Sequence, residues 1–344
     1  MKKLSLLLVV MLVVSFAVAG CGGQSSEGGE NQQEAEQPAD ENNTPQPTEV
    51  TLAVSSWIGY APLHIAAEKG FFEENGVNVD LQVIESVSDR RTALAADRIQ
   101  GFASTVDTHV MTAAAGIPVV QILGLDTSFG GDGIVATEDI KSIQDLKGKK
   151  VALHTGGGAS YFWTQYLLDR EGMKLSDLNV LDMSAGDAGD AFVAGKVDAA
   201  ITWQPWLTKA EETDFGHVLI SSDETPGVIV DSLALREDFV KDNPEAVQGI
   251  VDAWFDALAF AAENPGEANQ IMALAMDQTV EEFEATLPDV KFYDQTENQE
   301  YFGTPDDPGL LWEVSEKAAD FWLAEGLIDN KPEMIKIIDG SFVK

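Results

Sequence analysis

Ala96-Asp97-Arg98-Ile99-Gln100-Gly101-Phe102-Ala103-Ser104 and Ala194-Gly195-Lys196-Val197-Asp198-Ala199-Ala200-Ile201-Thr202 repeat one pattern at a constant offset of 98 residues. Each runs from small and polar residues through a basic one into a short apolar stretch, which reads as a turn feeding a buried strand. The segments ahead of each copy match as well. Val50-Thr51-Leu52-Ala53-Val54 reads as a strand, Ser55 to Tyr60 as a loop, and Pro62 to Phe72 as a helix with proline at its first position. Val79 to Ile84 alternates as a second strand and Arg91 to Ala96 as a helix, before the strand Ile99 to Ser104. Later, Lys150-Val151-Ala152-Leu153 is again a strand, His154 to Gly158 a loop, and Tyr161 to Arg170 a helix. Strands alternating with helices predict parallel sheets covered on both faces. The repeat predicts two related α/β lobes.

The connections between lobes read from apolar runs. Val119 to Leu125 is a strand, Asp126 to Asp132 breaks it as a hinge loop, and Ile134 to Ala136 resumes. Gly227 to Leu235 carries the chain back. Lobe I is therefore expected over 49–130 plus 231–344, and lobe II over 131–230. After Asn243-Pro244, the spacing of Val247, Ile250, Val251, Trp254 and Leu258 marks an amphipathic helix, and the rest reads as a mostly helical tail. Two Rossmann-like lobes joined by two crossover strands make a body that closes on a ligand by hinging.

The amino terminus adds a location. Lys2-Lys3, an apolar run from Leu4 to Val18 and small residues before Cys21 have the order of an export signal. The run is shorter than the roughly 20 apolar residues of a membrane span. Val18-Ala19-Gly20-Cys21 resembles the lipobox of bacterial lipoproteins, which implies cleavage after residue 20 and a lipid on Cys21. Cys21 is also the chain's one cysteine, so no disulfide is expected. Residues 21–48 are Gly, Ser, Glu, Gln, Asn and Pro with almost nothing apolar, the composition of a disordered tether. The expected location is extracytoplasmic, anchored to the cell membrane.

Composition excludes some functions. With 21 basic against 58 acidic residues the formal charge is −37, which argues against binding nucleic acid and biases the field toward cations. About 300 residues beyond signal and tether suffice for two domains with sizeable cores.

The order of several stretches resembles the solute-binding proteins of ABC importers, in the nitrate/sulfonate/taurine group related to binders of thiamine-pyrimidine precursors. Those stretches are Trp57 to Leu63 with Ala67 to Phe72, Leu125 to Asp132, Ile143 to Ala152, and Ala191 to Ala200 ahead of Trp203-Gln204-Pro205-Trp206. The resemblance implies a periplasmic-binding-protein type II architecture and a monomer. It also implies a sulfonate-, nitrate- or taurine-type solute, with a membrane permease and its ATPase as partners.

In open α/β sheets ligands lie beyond the carboxyl ends of the strands. That rule selects the loops Ser55–Tyr60, Thr105–His109, His154–Ser160 and Thr202–Trp206, with the hinge loop Asp126–Asp132 as a fifth. Trp57, Tyr60, Trp203 and Trp206 are expected to wall the ligand, and His154 to offer it a hydrogen bond. Gly157 and Gly158 before a helix expose backbone N–H groups suited to an anion, against the plainer role of a tight turn. Asp107, Asp126 and Asp132, with Asp231, suit a cation, although each also fits a cap or turn. These loops hold no arginine or lysine; Arg90 and Arg91 follow the second strand, where they either reach into the cleft or mark a solvated helix start, the latter being the plainer reading. The residues lean to a cation such as guanidinium or an amine, the resemblance to an oxyanion, and both readings stand.

No metal, cofactor or catalytic residue is assigned. His64, His109, His154 and His217 show no metal spacing. A pyrimidine-synthase-type enzyme, which shares this fold, is expected to need a cysteine-rich segment that the chain lacks beyond Cys21. A sensory module using the same lobes is the remaining alternative.

Overall fold

The computed structural model describes residues 47–344. The signal segment, Cys21 and the tether up to residue 46 lie outside the described residues. The first strand, β1 (Thr48–Val54), begins one residue inside the segment read as tether. It is followed by β2 (Val77–Val83), β3 (Gly101–Thr105), β4 (Val119–Ser128), β5 (Asp132–Thr137), β6 (Lys150–Leu153), β7 (Asn179–Asp182), β8 (Ala199–Trp203), β9 (Gly216–Ser221), β10 (Val230–Arg236) and β11 (Val290–Phe292).

These strands form two sheets, ordered β11-β4-β10-β3-β1-β2 and β7-β6-β8-β5-β9. The internal repeat is visible in their registers. Leu52 and Ala53 of β1 pair in parallel with Gly101 and Phe102 of β3, while Val151 and Ala152 of β6 pair in parallel with Ala199 and Ala200 of β8. In each sheet the third strand then takes an antiparallel neighbour from the other half of the chain's path, β10 beside β3 and β5 beside β8. The fold is two Rossmann-like α/β lobes joined by two crossovers, β4 into β5 and β9 into β10, with a largely helical carboxyl-terminal region.

The strands are apolar because helices cover them on both faces. Leu52, Ala53, Val54, Phe102 and Ala103 are fully buried in the first sheet, as are Val151, Ala152, Leu153, Ala199 and Ala200 in the second. The long helix Pro244–Glu263 buries Val247, Ile250, Val251 and Trp254, the stripe its spacing predicts.

Several boundaries differ from expectation. The helix from Pro62 ends at Lys69, where Gly70 takes a left-handed conformation, and a separate turn Phe71–Glu74 follows. The helix read from Arg91 starts at Val87, with Ser86 accepting from the Asp89 N–H as its cap. Strand β4 continues to Ser128, so Asp126 is a strand residue and the hinge loop shrinks to residues 129–131. Thr105 ends a strand and Asp107 and His109 lie in a helix, Val106–Ala114, rather than a loop. The Asn243 side chain does not cap its helix and donates to the Phe239 carbonyl instead. The tail read as helical also supplies β11, an edge strand against β4.

Candidate functional site

A cavity of about 130 Å³ lies between the two sheets and draws its walls from both. Lobe I contributes Ser55, Trp57, Tyr60, Glu85, Ser86, Arg90, Ser104, Thr105, Thr108 and Asp231; lobe II contributes Asp132, His154, Gly157, Gly158, Ser160, Ser184 and Trp203. Most lie at the carboxyl ends of β1, β2, β3, β6, β7 and β8 or at the amino ends of the helices that follow, while Asp132 and Asp231 lie at the amino ends of β5 and β10. Four helices start at this wall: Val87–Ala95, Val106–Ala114, Ala159–Arg170 and Ala185–Val193, preceded by Ser86, Thr105, Gly158 and Ser184. Their unpaired N–H groups bring partial positive charge to the cavity.

Trp57 is held by its indole N–H, which donates to Asp126 Oδ1 at 3.0 Å. Gly59 passes so close to the Asp126 carboxyl and the Trp57 indole that a Cβ there would overlap both. Asp126 therefore stands behind the aromatic wall instead of lining the cavity, and orients Trp57. Its second oxygen is buried without a hydrogen-bond partner, and burial, with Asp231 alongside, holds its carboxyl well above the usual range. The two aspartates are cross-strand neighbours between β4 and β10.

Asp231 accepts a hydrogen bond from the Tyr60 hydroxyl. Burial pushes its carboxyl up to about 7, with Tyr60 opposing and Asp132 and Asp107 reinforcing the shift. Asp132 opens β5 opposite Trp203, and burial pushes it up to about 7 against the Ser128 hydroxyl beside it.

Asp107 is buried and does not line the cavity. Its carboxyl, pushed up to about 6 by burial, sits beside the Gly158 N–H of the opposite lobe. Gly157 and Gly158 have φ of 101° and 90°, and a Cβ on Gly157 would stand 2.5 Å from Met111 Sδ. Glycine is thus required both by conformation and by the approach of the other lobe.

His154 lines the cavity mouth with Nδ1 3.8 Å from Asp182 Oδ1. Trp203 presents its indole to the cavity, and its Nε1 is buried without a partner. Trp206 is elsewhere: it packs on Gly186 and Gly189 of the helix Ala185–Val193 and donates to Asp190 at 2.9 Å. The pattern of four aromatics thus contains three wall residues and one packing residue.

Arg90 is the main addition to the expected set. It is 4% exposed rather than solvated, because the helix starts four residues earlier than expected and turns this position inward. Its Nη1 donates to the Ala103 carbonyl at 2.7 Å and its guanidinium lies 5.8 Å from the Phe102 ring. Arg91 does not line the cavity. The loops after β2 and β7 were also outside the expected set. Their signal is Ser86-x-x-Asp89 and Ser184-x-x-Asp187, where each serine accepts from the N–H three residues on.

Among the described residues no group of three or more His, Cys, Asp or Glu side chains is placed to hold a metal ion, and no helix is long and apolar enough to cross a membrane.

The family model described as NMT1/THI5 like matches residues 57–268. A Bacillus subtilis protein named as binding aliphatic sulfonates is 23% identical over 98% of this chain and 95% of its own length. The Escherichia coli periplasmic aliphatic sulphonate-binding protein SsuA superposes with a TM-score of 0.69 at 18% identity, covering 84% of this chain and 97% of that one. The periplasmic nitrate-binding protein NrtA of Synechocystis PCC 6803 superposes with a TM-score of 0.61 at 19% identity, over 84% and 93%.

Proposed function

The chain belongs to the NMT1/THI5-like family, and from that premise we propose that it is the extracytoplasmic solute-binding lipoprotein of an ABC importer. A lipid on Cys21 anchors it, the acidic tether lets the body reach solute and permease, and a cytoplasmic ATPase drives transport. One observation carries the capture role: a small cavity built jointly by strand ends of two lobes. A solute touching both walls has more contacts in the closed form, and that differential affinity is what shifts the lobes toward closure. The closed surface is then what the permease reads. Relatives named as binding sulfonates and nitrate support capture without turnover.

Those names favour a sulfonate-, nitrate- or taurine-type solute, and four helix amino ends suit its oxyanion. The second reading, a small cationic solute, is favoured by the carboxyls of Glu85, Asp132 and Asp231 on the same walls.

Calorimetric titration tests the site. Trp203→Ala is expected to weaken solute binding at least tenfold while the fold survives; unchanged affinity contradicts this cavity as the site. For the anchor, Cys21→Ser is expected to move the chain from the membrane fraction to the soluble fraction, and retention in the membrane contradicts the lipid.

A further inference from the structure

The charge of the solute follows from where the internal repeat places two aspartates, given the capture role proposed above. Strands β5 and β10 hold equivalent positions, each the antiparallel neighbour of the third parallel strand of its sheet. Asp132 of β5 stands opposite Trp203, the last residue of β8; Asp231 of β10 stands opposite Thr105, the last residue of β3. Thr105 and Trp203 are related by the same 98-residue offset as the repeat. The approximate symmetry of the molecule thus sets one carboxyl from each lobe on the cavity wall, both 4% exposed or less.

Their charges are incompletely matched by the protein. Arg90, the arginine on the wall, is engaged with the Ala103 carbonyl and faces Tyr60, Asp231 and Glu85. Its Nε is buried and unpartnered. Asp132 has the Ser128 hydroxyl beside it and no cation among the described residues. Burying a carboxylate without a counter-charge is costly, and closing the lobes brings two of them toward one another. A cation between them removes both costs, and the faces of Trp57, Tyr60 and Trp203 add attraction for it.

We infer that the solute carries a protonated nitrogen, as an ammonium, amidinium or guanidinium group, gripped between Asp132 of one lobe and Asp231 of the other. The cation is then the part of the solute that rewards closure. Helix amino ends on the same wall accommodate an anionic group at the other end of a zwitterion, so bare cations and zwitterions share this chemistry.

The test is calorimetry on the purified protein with four probes: guanidinium, taurine, ethanesulfonate and nitrate. The expected result is that guanidinium or taurine binds at least a hundredfold more tightly than ethanesulfonate and nitrate. Tighter guanidinium identifies a bare cation as the solute, and tighter taurine a zwitterion. Asp132→Asn is expected to weaken the binding probe at least tenfold without lowering the thermal midpoint; Asp231→Asn, read the same way, decides the matter where the first variant fails to fold. Ethanesulfonate or nitrate binding as tightly as the nitrogen-bearing probes, or unchanged affinity in both variants, overturns the inference and leaves the capture role standing. Failure of all four probes to bind folded protein overturns both.

Discussion

Asp132 and Asp231 are acids kept in a place that disfavours their ionised forms. Burial holds both carboxyls at about 7 in the folded protein, against an ordinary value near 4. Between those limits the folded state binds more protons than the unfolded chain, so stability from these groups is full below pH 4 and is lost as pH rises through 7. His109, lowered to about 4 by burial, works in the opposite direction, but only below its ordinary value of 6.5. From pH 6.5 to 8 the acids therefore dominate. In the absence of solute the thermal midpoint is expected to fall over that range, and Asp132→Asn to flatten the fall; a wild-type midpoint that rises with pH contradicts the burial argument. A solute cation must displace these protons, so its affinity is expected to increase from pH 6 to 8 in calorimetry. Affinity that decreases over that interval argues for an anionic contact instead.

At the scale of elements, the site is a ring of helix starts, and its fit depends on a few close approaches. Gly157→Ala places a methyl group against Met111 of the other lobe at a left-handed φ, and is expected to weaken solute binding at least tenfold. Unchanged affinity would mean that this lobe contact is absent from the bound form. Trp203 and Trp206 separate wall from scaffold. Trp206→Ala removes an indole packed on Gly189 and is expected to lower the urea midpoint while leaving affinity intact, the reverse of Trp203→Ala. The sequence tells these two tryptophans apart poorly, since Trp203 ends β8 and Trp206, three residues on, opens the next helix.

The same reasoning explains which elements were legible. The repeat of Ala96–Ser104 in Ala194–Thr202 carried the lobes and their registers because buried parallel strands leave little freedom in composition. The ligand-loop rule named Trp57, Tyr60, Asp132, His154, Gly157, Gly158 and Trp203, which line one cavity, because it depends only on strand ends. Arg90 reads as solvated rather than reaching the cleft because a four-residue shift in a helix start turns its side chain from solvent to core. Asp126 was misplaced because β4 continues as a strand through residues whose polarity reads as a turn. A strand neighbour, β10, stabilises it there, and that neighbour is a hundred residues away in sequence.

As a whole molecule the protein is two lobes with contacts on each side of the cavity. The crossovers meet where Ser128 and Ser222 share a hydrogen bond at 2.8 Å, and the Gly130 N–H donates to the same Ser222 hydroxyl. Beyond the cavity the tail helix Leu310–Ala324 bridges the lobes: Trp322 stacks on Tyr161 of lobe II at 5.7 Å and Phe321 meets Phe162 edge-on at 5.6 Å, while the Trp322 indole N–H donates to the Asp107 carbonyl of lobe I. Trp322→Ala empties a fully buried site and is expected to cost about 3–5 kcal/mol in urea unfolding. A loss under about 1 kcal/mol contradicts the packing described. The most direct measurement of capture between lobes is hydrogen–deuterium exchange with and without saturating solute. Simultaneous protection of residues 55–60 in lobe I and 154–160 in lobe II is the predicted result. Protection confined to one lobe, or to segments away from both loops, would contradict it.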